Sequence, residues 1–294
     1  MTLESLNKRI KTTTDLKDIV GTMKMLSSVS IGPYEKALKS LDEYSQTIWD
    51  AFAGLMRDDS FVYVPERRLG KASKTIAVMI GTDNGLVGRF NRDMVTFVKK
   101  DLTDRGALTD SYVICVGKRI GLMADSAKMR LSATYAIMNS LKEVSAIASM
   151  VLMKINELTT RESIERVLVY YTRKRTGEPQ HPTVVQLMPL PAQEMNRFKN
   201  QKWAGRTLPL ITADRDRLFQ ALIHEHLIAV LGMALTASLA AEHYTRMVNM
   251  QQAEKNIDES LEEMNLSYQQ LRQTGITDEL IDIVSGAESL KKKK

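Results

Sequence analysis

The sequence is short of cysteine, aromatic residues and long apolar runs. Cys115 is its one cysteine, so no disulfide can close within the chain, and a secreted scaffold held by cross-links is excluded. A lone thiol in an apolar run fits a reducing compartment. Aromatic residues make up 6% of the chain against 17 methionines, a balance suited to helices packed through aliphatic seams. No uninterrupted apolar run reaches the roughly 18 residues of a membrane span. The opening Met1-Thr-Leu-Glu-Ser has neither the apolar core of a secretory signal nor the Arg- and Ser-rich character of a transit peptide, and the expected compartment is the cytoplasm. The net charge is +6, but four of those charges are Lys291 to Lys294. Without that tail, read as solvated, nucleic-acid binding has little electrostatic support.

Breakers are also scarce where they matter most. Residues 213–290 contain no proline, and their only glycines are Gly232, Gly275 and Gly286. Apolar positions recur there at steps of three and four: Ile223, His226, Val230, Met233, Ala237, Ala240, Tyr244 and Met247. After a polar middle, Ile257, Leu261, Met264, Tyr268 and Leu271 resume the rhythm. A pattern this long reads as a coiled coil or helical repeat. Such a helix would be on the order of 110 Å long and would protrude from a domain of ordinary size.

Residues 1–57 form a second helical stretch. Leu16, Ile19, Met23 and Leu26 mark one stripe, and Leu38, Leu41, Ser45, Ile48, Phe52 and Leu55 a heptad seam. Ser30-Ile-Gly-Pro33 between them predicts a kink or short break near Gly32 and Pro33, because a helix-interior proline costs about 3 kcal/mol. From residue 73 the pattern changes. Extended segments are expected at 75–80, 112–116, about 131–137, 167–172 and 183–188, with helices at about 90–104 and 141–160. Strands alternating with helices indicate β-α-β units. The layout is therefore a shaft helix at 1–57, a Rossmann-like α/β domain of about five strands at 73–190, a linker at 191–212, a second shaft helix at 213–290 and a basic tail at 291–294. The fold class is α/β with the two long helices paired as an antiparallel coiled coil.

No active site is visible. Gly81-Thr-Asp-Asn-Gly-Leu-Val-Gly88 follows a strand and precedes a helix, as phosphate loops do. Its spacing fits neither G-x-G-x-x-G nor the P-loop, and Arg89-Phe90 stands where Lys-Ser/Thr would be. A tight strand-to-helix turn is the preferred reading. His224 and His226 lie two apart on a helix and point roughly 200° apart, so they cannot share a metal ion with His243 as an i, i+4 pair would. The carboxylates Glu262 and Glu263 lie on a helix surface. No cofactor or metal is expected.

Both ends of the chain carry a family pattern. Leu6-Asn-Lys-Arg-Ile-Lys-Thr-Thr-Thr-Asp-Leu-Lys-Asp-Ile-Val-Gly-Thr-Met-Lys-Met25 resembles the first helix of the gamma subunit of F-type ATP synthases, whose hallmark is R-I-K-S-x-x-x-T-x-K-I-T-x-A-M-K-M. Ala237-Ser-Leu-Ala-Ala-Glu-His-Tyr-Thr-Arg-Met-Val-Asn-Met-Gln-Gln-Ala-Glu-Lys-Asn256 is similar to its A-S-E-x-x-A-R-M-x-A-M-x-x-A-x-x-N segment. Leu271-Arg-Gln-Thr-Gly-Ile-Thr-Asp-Glu-Leu280 resembles the R-Q-x-x-I-T-x-E-L of its ending, and the glycine loop through Asn91 answers S-D-R-G-L-C-G-x-F-N. The likeness spans the chain in order.

The resemblance implies a rotor: a non-catalytic central-stalk shaft inside a ring of alpha and beta subunits. Its α/β domain would rest on the epsilon subunit and the c-ring of the membrane sector, peripherally on the cytoplasmic face of the bacterial inner membrane. Ion flow would turn the shaft and drive ATP synthesis or hydrolysis at the beta sites. Carried over by motif, Met23 and Lys24 would face the beta subunits, though Met23 equally suits a coiled-coil core. Arg272 and Gln273 would bind an acidic loop of one beta subunit, as a guanidinium fork suits carboxylates. Ile276, with Thr277, begins an apolar tip expected to run to Leu290. After Met25 the basic residues usual in the family are missing and Pro33 is added. Thr82-Asp-Asn84 replaces S-D-R, and Val87 the usual cysteine. These departures point to a divergent branch such as the alternative sodium-coupled bacterial enzymes. The chloroplast-type regulatory cysteine pair is absent. The competing reading is a free-standing α/β enzyme or nucleotide-binding module with a dimerising coiled coil.

Overall fold

The computed structural model describes residues 2–56, 74–137, 140–174, 180–191 and 210–291, with side chains of the last segment to Ser285. Most of the expected linker, the basic tail beyond Lys291 and the side chain of Leu290 lie outside the described residues. The elements in order are α1 (Leu3–Met56), β1 (Thr75–Ile80), α2 (Phe90–Asp104), β2 (Ser111–Val116), α3 (Lys118–Ser126), β3 (Leu131–Tyr135), α4 (Leu141–Arg161), β4 (Arg166–Arg173), β5 (His181–Met188) and α5 (Arg215–Lys291). The chain divides into two compact units, one of residues 29–245 and one of residues 1–28 with 246–294.

The larger unit is built on a five-stranded sheet of order β3-β2-β1-β4-β5. Four strands are parallel, and β5 returns antiparallel to β4. Strands β1 and β2 are buried at every position, as expected of parallel strands covered on both faces. Alternate residues serve alternate faces. Ile76, Val78, Ile80, Ile114, Val116, Val167 and Val169 join Val151 and Ile155 of α4 and Leu231 and Leu235 of α5. Ala77, Met79, Val113, Cys115, Leu168 and Tyr170 meet Met94, Val98 and Leu102 of α2 and Ile120 and Ala124 of α3. By length and composition α5 could cross a membrane. Its apolar residues Leu227, Leu231, Leu235 and Leu239 are instead buried in the first of these cores.

Helix α3 has no counterpart in the expected elements. Nine residues give about two and a half turns of periodicity, too few to stand out. Burial of Ile120 and Ala124 holds it, with close packing at Gly121, where an added Cβ would lie 2.9 Å from Thr134 Cγ2 of β3.

Helix α1 is one helix running through Pro33: of the kink or short break expected there, the break does not occur and the helices on its two sides are continuous. The proline removes one bond to the Val29 carbonyl, a cost of about 3 kcal/mol. Packing next door offsets it: Tyr34 is buried in the sheet's core and stacks on His243 at 5.3 Å between ring centroids. Within this unit α1 and α5 run antiparallel. Tyr44 donates to Glu225 at 2.7 Å, Ser45 to Met233 Sδ at 3.4 Å, and Phe52 meets Phe219 and His226 edge-on. The seam Leu38, Leu41, Ser45, Ile48, Phe52, Leu55 is half-buried to buried throughout, as its heptad spacing predicts.

Candidate functional site

The glycine loop is a turn knitted shut by its own residues. A Cβ on Gly81 would lie 2.5 Å from Ile120 Cβ and 2.6 Å from Asn91 Oδ1, so backbone and side chains already fill the space beside it. The Thr82 N–H donates to Asn91 Oδ1 at 3.1 Å, and Asn91 Nδ2 returns a bond to Thr82 Oγ1 at 2.9 Å. Asp83 accepts the Lys118 N–H at 2.6 Å, which caps the start of α3. Gly88 takes φ +56°, a left-handed turn residue. In open α/β sheets ligands bind beyond the strand ends where the order reverses, here between β1 and β4. Helix α5 covers part of that place. Val87 and Phe90, after β1, are buried against Ala241 of α5, and Tyr171 and Arg173, at the end of β4, line a cleft with Ala237 and Tyr244 of the same helix.

The other chemical candidates resolve as packing. His224 is exposed and His226 buried, on different sides of α5 as their spacing requires. Among the described residues no group of three His, Cys, Asp or Glu is placed to hold a metal. Cys115 is fully buried, and burial pushes its thiol up to about 12, which leaves it unreactive in the folded chain. Tyr170 donates to Asp101 Oδ2 at 2.7 Å, and Arg105 Nε donates to the same oxygen at 2.7 Å. Burial first, then that carboxylate, raises the phenol, so it stays a donor and ties β4 to α2.

The surfaces with unsatisfied apolar area lie in the smaller unit. There α1 and α5 are again antiparallel: Lys17 pairs with Asp258 at 2.7 Å, and Lys24 pairs with Glu254. The face of α1 turned inward carries Leu6, Ile10, Thr13, Lys17, Lys24 and Ser27, all buried or half-buried. The stripe expected to be the seam points outward. Leu16, Ile19 and Leu26 are 49%, 54% and 61% exposed, and only Met23 is half-buried. Periodicity had found the apolar face correctly but could not say what covers it. On α5, Ile257, Leu261, Met264 and Tyr268 are half-buried, as their spacing predicts. Beyond them Arg272, Gln273 and Thr277 are exposed. Ile276, Leu280, Ile281, Ile283 and Val284 are all at least half exposed, giving this end of the helix a run of uncovered apolar residues. Of the six residues singled out by motif, Lys24 and Met23 therefore sit at or beside the helix pair's seam. Arg272, Gln273, Ile276 and Thr277 form one exposed segment. The outward orientation of the α1 stripe, and the carboxylates Glu254 and Asp258 as partners of its lysines, were not read from the sequence, since each depends on residues more than two hundred positions away.

The ATP synthase family matches residues 2–290. An ATP synthase gamma chain of Staphylococcus haemolyticus is 25% identical over 98% of this chain and 99% of its own length. One from Geotalea daltonii is 26% identical with the same coverage. Among solved structures, a chain of the Euglena gracilis mitochondrial ATP synthase (OSCP/F1/c-ring, rotational state 3) superposes with a TM-score of 0.66 at 17% identity. That match covers 98% of this chain and 94% of the other. A chain of the Tetrahymena thermophila mitochondrial ATP synthase central stalk and c-ring gives 0.55 at 17% identity, over 80% and 99%.

Proposed function

We propose, for a chain that belongs to the ATP synthase gamma-chain family, that it is the central rotor shaft of an F-type ATP synthase. It couples transmembrane ion flow to ATP synthesis or hydrolysis at catalytic sites carried by beta subunits, and is itself non-catalytic. Its partners are the alpha and beta subunits of the head, the epsilon subunit and the c-ring. It associates with the membrane peripherally, through the complex, on the cytoplasmic face of the bacterial inner membrane.

The observation that carries this reading is the smaller unit's inverted helix pair. A helix pair that keeps lysines at its seam and exposes leucine and isoleucine is not finished as a free-standing body. Fully burying one such side chain contributes about 1.5–3 kcal/mol, so a protein surface around it gains a substantial apolar contribution. We assign rotor–stator contacts to Arg272, Gln273, Ile276 and Thr277 on α5, to Met23 and Lys24 at the edge of the pair, and to the outward residues Leu16, Ile19 and Leu26. A shaft of this kind acts by differential contact: each orientation favours a different conformation of the surrounding sites, and the coupling equals the difference in contact energy. The reading as a nucleotide-binding module is not favoured: the spacing of the loop after β1 fits no phosphate-binding pattern, and its Thr82 N–H is already bonded to Asn91.

The test is assembly and turnover. Tagged chain should co-purify in fixed stoichiometry with alpha and beta subunits and show no ATPase activity alone. Arg272→Ala with Gln273→Ala should slow ATP turnover of the assembled complex roughly tenfold, the scale of two lost charge-assisted hydrogen bonds after partial compensation. A self-associating chain that binds nucleotide, with no alpha or beta subunit attached, would sink the proposal.

A further inference from the structure

The seam of the smaller unit is where a two-stranded shaft is expected to be driest, yet it holds two lysines and two carboxylates. Lys17 and Lys24 are seven residues apart on α1, one heptad, and so fall on the same face. Asp258 and Glu254 are four apart on α5, one turn, and face them. Lys17 meets Asp258 at 2.7 Å and Lys24 meets Glu254. Gly21 lies between the lysines, and a Cβ there would come 3.8 Å from Glu254 Oε1, which puts that carboxylate over the gap between the two cations. Lys17 responds to both: Asp258, by hydrogen bond and charge, and secondarily Glu254 raise its pKa.

The spacing makes the pairing specific to one register. Slide the helices by one heptad in one direction and Lys17 faces Asn265 while Lys24 faces Leu261. Slide them the other way and the partners become Gln251 and Met247. Neither shifted register places a carboxylate directly opposite either lysine, although Asp258 and Glu254 stay within one turn of the new facing positions Leu261 and Gln251. Apolar seams do not discriminate in this way, because Leu6, Ile10, Ile257 and Leu261 pack almost as well one heptad along. Polar groups placed at a seam are best attested as devices that fix register at some expense of stability.

We propose that Lys17, Lys24, Glu254 and Asp258 form an electrostatic clasp that holds the two strands of the shaft in register while torque passes through them. They are positioning residues and touch no substrate. The inference rests on the rotor reading of this chain. Sliding one helix past the other absorbs rotation without transmitting it, and the clasp opposes that slippage. Its strength is modest. Exposed or half-exposed ion pairs shift an equilibrium by roughly two- to fivefold each, and they weaken with salt because the screening length falls to about 3 Å near 1 M.

The experiment uses the assembled complex, with spin labels on Thr14→Cys and Glu262→Cys, both exposed positions; Cys115 is buried and does not compete. Three variants are compared with the parent: Lys17→Met with Lys24→Met, which removes the charges without adding repulsion; Glu254→Lys with Asp258→Lys; and the full exchange, which adds Lys17→Glu and Lys24→Glu to the latter. The parent should give one narrow distance distribution that broadens in about 1 M salt. The methionine variant should be broadened already and insensitive to salt. The one-sided reversal should broaden the distribution further and lower ion-driven ATP synthesis roughly three- to tenfold, with hydrolysis changed less than about twofold. The full exchange should restore the narrow distance distribution, while synthesis recovers only as far as the loss of Lys24 from its contact with the beta subunits allows. A one-sided reversal with an unchanged distribution, or an exchange that leaves the distribution as broad as the one-sided reversal, overturns the clasp. Absence of the parent chain from the purified complex overturns the rotor reading instead.

Discussion

Substituting Gly81 by alanine tests whether the loop after β1 is a closed structural turn or an open ligand cradle. The new methyl would stand 2.5 Å from Ile120 Cβ, 2.6 Å from Ile120 Cγ2 and 2.6 Å from Asn91 Oδ1. Two of these contacts are to a β-branched side chain locked in the core, which has no rotamer to retreat to. Overpacking of this kind costs about 1–3 kcal/mol. Displacing Asn91 also strains its reciprocal bonds with Thr82, and a buried amide left without a partner costs a further 1–3 kcal/mol or so. The sum is about 2–6 kcal/mol. Because Cys115 is the chain's one cysteine and lies in the middle of the sheet, its exposure to a thiol reagent in urea reports unfolding of this unit alone. The midpoint should fall in proportion to that loss, with the denaturant slope unchanged. Gly32→Ala is the control: nothing lies within 4 Å of its added Cβ, and replacing a helix-interior glycine should stabilise by about 0.5–1 kcal/mol. A Gly81→Ala chain that unfolds at the parent's midpoint would refute the turn as described and reopen the loop as a binding site.

Two further outcomes follow from ionisation. With its thiol pushed up to about 12 by burial, Cys115 should resist alkylation at neutral pH and react at a rate set by opening of the sheet rather than by reagent concentration; rapid, concentration-dependent labelling of the native chain would contradict its placement. Glu162 is held below its ordinary value by the hydrogen bond from Lys74 at 2.8 Å, and next by Tyr112. A depressed carboxylate contributes stability that is present above its unfolded pKa of about 4.3 and lost as pH falls through the lower folded value. Glu162→Gln should therefore narrow its stability gap to the parent below about pH 4, and a gap that is constant down to pH 2 would remove Glu162 from the acid transition.

Much of this architecture could be read from the chain. The mostly apolar runs at 75–80 and 112–116 are short, rich in β-branched residues and end at glycine, so strands of β-α-β units were the economical reading. The long helix α5 was legible because it lacks proline over nearly eighty residues. Three features were not. Helix α3 buries only Ile120, Gly121 and Ala124, too short a pattern to stand out in the sequence. Pro33 was expected to bring a kink or a short break; the helix continues through it, and the packing of Tyr34 on His243 opposes a break there. The stripe Leu16, Ile19, Met23, Leu26 was correctly seen as one face, yet the inward face proved to be the one carrying Lys17 and Lys24. Period alone gives the faces of a helix; which face turns inward depends on the partner's charges at Glu254 and Asp258.

The central claim is that this chain turns inside its complex. The head is immobilised through its beta subunits, and a probe is attached to the larger unit of this chain through a cysteine introduced at Lys118, an exposed position. On adding ATP, the account predicts sustained rotation in one direction that stops when nucleotide is removed. A probe that stays fixed while the same complexes hydrolyse ATP at the normal rate would contradict it.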